Sequence, residues 1–173
     1  MSLHWTWLRF DALSLDDLYD VLALRSRVFS VEQACAYQDP DGVDRQCWHL
    51  LGRDGQGLLQ AYLRGVDPGV KYADASIGRV VSAPELRGTG VGRRLVAEGL
   101  RRMDATWPAQ ALRISAQAHL QRFYAGFGFV AEGSEYLEDD IPHMEMLRMP
   151  SLQRAAYAVA STAYAVASTG AEA

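Results

Sequence analysis

Several short stretches of the chain carry a pattern of hydrophobic residues that predicts β-strands, and in the first of them hydrophobic and polar residues alternate. It occurs first in LHWTWLRF, then in WHLLGR and LLQAYLRGV on the two sides of the turn DGQG. It returns in ASIGRVVS and ALRISAQA, and near the end of the domain in FVAEG and HMEMLRM. The pattern therefore predicts seven strands.

Between these strands, apolar residues recur with the period of a helix. Ser14, followed by Asp17, predicts the capped start of a first helix that runs to about Phe29. The predicted apolar face of this helix consists of Leu15, Leu18, Leu22, Arg25 and Phe29. The predicted stripe of the second helix consists of Val91, Leu95, Val96, Leu100 and Met103. A short third helix is predicted in LQRFYAGFG, and this mixture of elements indicates an α/β or α+β fold with a mixed sheet.

The length and composition of the chain exclude several classes of protein. The 173 residues suffice for one domain with a core, and the net charge of −4 argues against a nucleic-acid partner. The start lacks the apolar core of a signal peptide, and no apolar run is long enough to cross a bilayer. Cys35 and Cys47 are too few for a disulfide framework, and no metal site is predicted. We therefore expect a cytoplasmic protein with two reduced thiols and no membrane partner.

The end of the chain has a different character, because residues 156–162 and 163–169 are both AYAVAST. A repeat of seven gives no consistent buried face to a helix or to a strand. We therefore predict one domain over residues 1–150 and a low-complexity tail over residues 151–173. The sequence is also compatible with a homodimer.

The stretch RGTGVGRRL, residues 87–95, carries the densest chemical signal. Glycine lets backbone N–H groups approach an anion, and the stretch follows a predicted strand and opens a predicted helix. A P-loop would need Gly-Lys-Ser/Thr, and a Rossmann fingerprint would need a third glycine at position 93, where this chain has Arg93. The alternative is a glycine-rich turn that only packs the helix closely against the sheet.

The pattern Arg87-x-x-Gly90-x-Gly92 resembles the acyl-CoA pyrophosphate loop of the GNAT acetyltransferase superfamily. IGRVVSAPELRGTGVGRRL is similar to that superfamily's fourth strand, loop and third helix, and FYAGFGF to its fourth helix. The resemblance extends to an ElaA-like branch through Leu24, Arg25, Val28, Phe29, Glu32, Gln33, His49 and Leu50, through residues 116–124, and through residues 138–143. It covers roughly residues 3–150.

The resemblance implies a GNAT fold, with a mixed, mostly antiparallel twisted sheet splayed between strands 4 and 5 and flanked by helices. It implies an acetyl-CoA-dependent N-acetyltransferase that moves an acetyl group to a primary amine of a small molecule or peptide by direct attack. Positioning then supplies much of the rate. The residues that the resemblance assigns to the cofactor are Val80, Val81, Arg87, Gly88, Thr89, Gly90, Val91, Gly92, Arg93 and Gln117.

In this scheme the backbone N–H groups of Val80 and Val81 bind the cofactor and offer a donor to the thioester carbonyl, while their side chains pack in the sheet. Tyr124 occupies the family's general-acid position, where a phenol supplies a proton to the leaving thiolate. The candidates for a base are Glu32, His119, Glu138 and His143, and a chain of water molecules is the alternative.

Arg25 lies on the predicted apolar face of the first helix, where an unpaired charge is costly. We expect it to reach the solvent edge or to pair with a carboxylate, with Glu32 as the partner. In that case Glu32 orients Arg25 and is not a base.

Two other functional hypotheses are compatible with the residues. A non-catalytic acyl-CoA-binding module would sense CoA or regulate a partner, but it has no need of an acid at Tyr124. A nucleotide-binding protein is the weaker alternative, because the loop lacks the lysine and hydroxyl of a P-loop.

Overall fold

The computed structural model of the chain describes residues 2–33 and 38–154. Its seven strands are β1 (His4–Arg9), β2 (Cys47–Arg53), β3 (Leu59–Val66), β4 (Ala75–Ser82), β5 (Leu112–Gln117), β6 (Val130–Glu138) and β7 (Ile141–Arg148). They form one sheet in the order β1-β2-β3-β4-β5-β7-β6. Every neighbouring pair is antiparallel except β4 and β5, which are parallel. The predicted mixed, mostly antiparallel sheet is confirmed.

The helices are α1 (Leu15–Arg25), α2 (Val91–Thr106) and α3 (Gln121–Ala125). The predicted capping box is present, because the Asp17 N–H donates to Ser14 Oγ at 3.0 Å and the Ser14 N–H donates to Asp17 Oδ2 at 3.2 Å. After Arg25 the winding widens to a π-helix over Ser26–Glu32, so the helical segment ends three residues beyond the predicted Phe29. Short 3-10 turns occupy Phe10–Ala12, Val43–Gln46, Pro84–Leu86 and Ala118–Leu120.

The predicted buried face of α1 is wrong in part. Leu15 is 85% exposed, and the residues that are buried in this segment are Val21, Leu24, Arg25 and Val28. These four positions follow the i, i+3, i+4, i+7 spacing of one helix face, and it is this face that packs on Leu51, Tyr62 and Val81 of the sheet. The prediction was right about Arg25, which is fully buried.

The sheet has a hydrophobic core on each face. The core beneath α1 contains Tyr62 and Val81, and the larger one contains the predicted α2 stripe together with Tyr124 and Phe129. Cys47 is buried as a free thiol, and burial raises its pKa to about 11, so it stays protonated. Cys35 lies outside the described residues.

The last hairpin is longer than predicted. β6 continues past the predicted FVAEG to Glu138, through an irregularity in its pairing with β7 near Gly133, whose φ is +79°. The acidic run that the sequence indicates as a solvated loop is therefore the end of β6 followed by a tight turn. Asp139 and Asp140 form that turn with φ of 50° and 60°, a conformation that Asp tolerates better than most residues.

Two features bear on the predicted tail and on membranes. Residues 151–154 form a helical turn against Pro108, and the repeat over residues 156–169 lies outside the described residues. Within residues 2–33 and 38–154, no helix has both the length and the apolar character of a bilayer span.

Candidate active site

A cleft opens where β4 and β5 separate. The two strands pair only at Ala75 with Leu112 and at Ser76 with Arg113, after which β5 pairs with β7 alone. A cavity of about 230 Å³ occupies the gap, with one wall from β4 and the other from β5 and β7. The predicted site residues that line it are Val80, Gln117, Tyr124, His143 and Glu138.

A bulge shapes the β4 wall of this cavity. On β3, Tyr62 and Arg64 are two residues apart, whereas their partners Val81 and Gly78 on β4 are three apart. The extra residue sits at Arg79, whose φ of 50° is left-handed. A bulge removes backbone groups from the ladder and turns the strand, and this one lies where β4 borders the cavity.

The two valines that follow Arg79 face opposite sides of the sheet. Val80 lines the cavity and packs against the larger core, while Val81 is buried in the core beneath α1 and does not line the cavity. Val81 is therefore taken up by the core, whereas Val80 belongs both to the core and to the cavity wall.

Tyr124 lies on α3 with its ring against the larger core. It is 7% exposed and makes edge-on contacts with Phe123 and Phe129, at centroid distances of 5.1 and 5.9 Å. Among the described residues its hydroxyl has no hydrogen-bond partner, although the side chain lines the cavity. Burial raises its pKa to about 12, so the phenol keeps its proton at neutral pH.

His143 and Gln117 face each other across β5 and β7, where they are paired in register. His143 Nδ1 lies 2.8 Å from the carbonyl oxygen of Ile141. Because a carbonyl only accepts, Nδ1 is the donor in this contact, and in the neutral ring Nε2 is then the acceptor. His143 therefore has the tautomer that a base requires.

The glycine-rich loop joins β4 to α2. Gly88 and Gly90 have φ of 75° and 79°, which is the left-handed region that glycine adopts without strain. The Arg94 N–H donates to the Gly90 carbonyl at 3.1 Å, which is the first bond of the helix. Before this bond come the N–H groups of Val91, Gly92 and Arg93. They have no hydrogen-bond partner within the helix, so the helix start presents several N–H donors.

The loop glycines do not serve close packing, which was the alternative explanation from sequence. Among the described residues, a Cβ placed at Gly88 or Gly92 would meet no atom within 4 Å, and one at Gly90 would meet only the end of the Arg94 side chain. By contrast, a Cβ at Gly99, farther along α2, would lie 2.7 Å from Leu63 Cδ1. Gly99 brings the helix close to the sheet, whereas the loop glycines border open space.

Glu32 pairs with Arg87 of this loop, and the predicted Arg25–Glu32 pair is wrong. Arg87 Nη1 and Nη2 lie 2.5 and 2.9 Å from the two carboxylate oxygens of Glu32. The hydrogen bonds from Arg87 lower the pKa of Glu32, which makes it a weaker base. Arg25 is fully buried, whereas Glu32 is exposed near the end of the helical segment, and the carboxylates that Arg25 binds are the buried Asp39 and Asp44.

The remaining predicted residues lie around the cavity or outside it. Thr89 Oγ1 donates to the Leu86 carbonyl at 2.6 Å, and the Arg93 guanidinium lies 5.3 Å from the Phe127 ring centroid. His119 is exposed on the 3-10 turn before α3 and does not line the cavity. Glu138 accepts a hydrogen bond from Ser115 Oγ at 2.7 Å on the cavity wall.

A partly buried network of three aspartates and three arginines borders the cavity, and the sequence indicated only a polar turn there. The members of this aspartate–arginine network are Asp39, Asp41, Asp44, Arg25, Arg64 and Arg79. Arg25 binds Asp39 at 2.8 Å and Asp44 at 2.9 Å. Arg64 binds Asp41 and Asp44, both at 2.8 Å, and Arg79 binds Asp39 at 2.8 Å.

The network joins α1, β3 and the bulge of β4 to one loop, and Arg64 and Arg79 line the cavity. Burial acts to raise the pKa of Asp41, but the hydrogen bonds and charge of Arg64 outweigh it and hold the value to about 2. All three carboxylates are thereby matched by guanidinium groups. The signal in the sequence was the density of aspartate in DPDGVD together with arginine inside two apolar patterns.

Comparisons with known proteins agree with this architecture. Residues 68–149 match the family described as acetyltransferase (GNAT) domain. The chain is 44% identical over 151 residues to a UPF0039 protein of Synechocystis, covering 87% of this chain and 98% of that protein.

Two crystal structures superpose over most of the chain. An acyl-CoA N-acyltransferase from Pseudomonas aeruginosa has a TM-score of 0.81 and 45% identity, covering 85% of this chain and 99% of that one. Escherichia coli ElaA has a TM-score of 0.79 and 40% identity, covering 84% and 99% respectively. By sequence, fold and cleft, this chain is a member of the GNAT acetyltransferase superfamily, in the group that contains ElaA.

Proposed function

We propose that the chain is an acetyl-CoA-dependent N-acetyltransferase that acts on a primary amine of a small molecule or peptide. The observation that carries this proposal is Tyr124, a protonated phenol that lines the cavity between the separated strands without a partner among the described residues. A cytoplasmic location remains a prediction from the sequence.

The glycine-rich loop fits the pyrophosphate of a CoA thioester. Open space beside Gly88, Gly90 and Gly92 leaves room for phosphate oxygens against the backbone, and the start of α2 supplies N–H donors and a positive dipole end. Arg93 and the edge of β4 near Val80 extend this surface toward the cavity. Gln117, half-buried on the opposite wall, presents an amide to the pantetheine.

The chain's own groups have distinct tasks in the reaction. Acetyl-CoA, when bound, supplies an acetyl group activated as a thioester. The N–H of Val80 stabilises negative charge on the carbonyl oxygen, and the Tyr124 hydroxyl gives its proton to the departing sulfur. The cavity holds the amine beside the thioester, so that positioning lowers the barrier.

We assign the removal of the amine proton to His143. It lines the cavity and its Nε2 is an acceptor, whereas Glu32 is engaged by Arg87 and His119 lies outside the cavity. A free ammonium has a pKa of about 10.4 and must lose its proton before it attacks. Glu138, on the same wall, attracts a cationic amine.

The test is thiol release from acetyl-CoA across a panel of small amines and peptide amines, with a thermal melt in acetyl-CoA run on the same protein. Stabilisation by acetyl-CoA together with turnover on at least one amine supports the proposal. Stabilisation without turnover on any amine would favour a CoA-binding module, and the absence of both would contradict the cofactor assignment.

A further inference from the structure

Lys71 is the only lysine in the sequence, and the other 16 of the 17 Lys and Arg residues are arginines. It lies in the loop between β3 and β4 and lines the same cavity as Val80 and Tyr124. The one side-chain primary amine of the chain is therefore part of the wall of its own candidate active site.

The environment of Lys71 leaves its amine free to move. The residue is exposed, and its Nζ lies 5.2 Å from the centroid of the Tyr72 ring. Among the described residues no carboxylate lies within 4.0 Å of Nζ, whereas the cavity arginines Arg64 and Arg79 are held by the aspartate–arginine network. Among the described residues, the flexible side chain of Lys71 therefore has no ion-pair partner.

We propose that Lys71 is a site of intramolecular self-acetylation, with an acyl thioester of CoA as the donor. The proposal rests on the proposed function, because it uses the same cavity and the same thioester. It adds a second acceptor to that function, one that belongs to the protein itself.

The reaction balances with groups already named. The Lys71 ammonium first loses a proton, and the neutral Nζ then forms a bond to the carbonyl carbon. The carbon–sulfur bond breaks, its electron pair goes to sulfur, and the sulfur takes a proton from Tyr124. The nitrogen loses a second proton to become an amide, so the products are acetyl-lysine, CoA thiol and one net proton.

Tethering favours this reaction over attack by an unrelated amine. A nucleophile held on the wall of the site reacts at a high effective concentration, even when it is not ideally oriented. His143 lines the same cavity with Nε2 as an acceptor for the amine proton. The product replaces a cation at the cavity wall by a neutral amide, which changes the charge that an incoming acceptor meets.

The experiment follows the intact mass of the full chain during incubation with acetyl-CoA and no other amine, and then maps the modified peptide. We expect one acetyl group on Lys71 and none there in Lys71→Arg, which keeps the positive charge but offers no acetylatable amine. The rate per molecule should be unchanged when the protein is diluted, because donor and acceptor share one cavity. Tyr124→Phe should slow the modification by about 10²-fold.

Each contrary result has a defined meaning. An unmodified Lys71 in a protein that acetyl-CoA stabilises and that acetylates an added amine overturns this proposal and leaves the proposed function intact. An unmodified Lys71 in a protein that acetyl-CoA does not stabilise overturns both. Equal rates in the Tyr124→Phe protein show chemical acetylation outside the cavity mechanism, and a rate proportional to protein concentration shows transfer between molecules; either result overturns the proposal.

Discussion

At the scale of single residues, the packing around Tyr124 determines the state of its hydroxyl. Its ring is held by Phe123 and Phe129, and the same burial that fixes the ring raises the pKa of the hydroxyl to about 12. An acid with that pKa is protonated across the whole neutral range, so it transfers a proton only when a base, such as a departing thiolate, develops beside it.

Tyr124→Phe should therefore preserve the fold and the affinity for acetyl-CoA and lower kcat by about 10²-fold. The measurement is steady-state thiol release at saturating acetyl-CoA, with binding followed by thermal shift. Tyr19→Phe is the matched control, because it removes a phenol hydroxyl from an exposed position on α1. Unchanged kcat in the Tyr124 variant would remove this residue from the rate-limiting chemistry.

Arg25 has a structural role, since it is fully buried and pairs with two carboxylates that are themselves buried. Arg25→Ala leaves Asp39 and Asp44 without this partner in the interior, and we expect a loss of about 3–5 kcal/mol in the free energy of unfolding. Arg101→Ala removes an exposed helix pair with Glu98 and should leave the free energy of unfolding nearly unchanged. Urea denaturation of both variants measures the difference.

The aspartate–arginine network also determines whether the fold becomes more or less stable as the pH falls. The pKa of Asp41 in the folded state is about 2, below its unfolded value of 3.8, so protonation favours the unfolded chain. The stability it contributes is complete above about pH 5 and is lost as the pH falls from about 5 toward 2. A urea midpoint that stays constant across that range would contradict the role given to the network.

At the scale of elements, the β4–loop–α2 unit brings the bulge, the glycines and the helix start into one surface. Gly90→Asp places a carboxylate where a pyrophosphate would lie and should abolish the thermal shift by acetyl-CoA. Gly57→Asp is the control, because Gly57 has a similar φ of 83° and open surroundings in the β2–β3 turn, far from this loop along the chain. Both variants bear the same backbone strain, so only the loop variant should lose binding; a Gly90→Asp protein that binds acetyl-CoA normally would contradict the loop assignment.

The elements themselves were largely predictable, because their signals are local. Short hydrophobic stretches predicted the strands, the 3.6-residue period predicted α2, and the Ser14–Asp17 pair predicted the start of α1. The end of β6 was missed because the irregularity near Gly133 interrupts the alternation that marks a strand. The buried face of α1 was misplaced because two overlapping stripes share Arg25, and only packing on the sheet selects between them.

The candidate site was predictable where a compact motif marks it and not where distant residues meet. Gly90 and Tyr124 stand in short patterns with a fixed register. Arg25, Arg64 and Arg79 lie on three different elements, and their convergence on Asp39, Asp41 and Asp44 depends on the tertiary fold. The role of Glu32 was misjudged for the same reason, since its partner Arg87 is 55 residues away.

At the scale of the whole molecule, the cavity is a consequence of topology. One part of the sheet, β1 to β4, and the other, β5 with β7 and β6, are joined by only two residue pairs. The parallel strands β4 and β5 separate immediately after those pairs, so the sheet opens into a cleft. Residues from both parts of the sheet line this cleft. Val80 and Tyr124 both line the cavity, although they are 44 positions apart in the chain.

The last prediction concerns residues 151–173, which we expect to be dispensable. The first of them touch the domain lightly: Ser151 Oγ and the Leu152 N–H donate to the Pro108 carbonyl, and Arg154 reaches Asp104 at 2.8 Å. Asp104 keeps its two bonds from Arg148 when Arg154 is removed, and a partly exposed pair contributes about 1 kcal/mol at most.

A chain that ends at Pro150 should therefore fold, bind acetyl-CoA and turn over like the full chain. A chain that ends at Arg154 keeps the contacts with Pro108 and Asp104 and separates their effect from that of the AYAVAST repeat. Light scattering and thermal melting of the three proteins decide the matter. Conversion of a dimer to a monomer in either shortened chain, or a melting temperature lower by about 5 °C or more, which corresponds to about 2 kcal/mol or more, would instead make the removed segment part of the folded assembly.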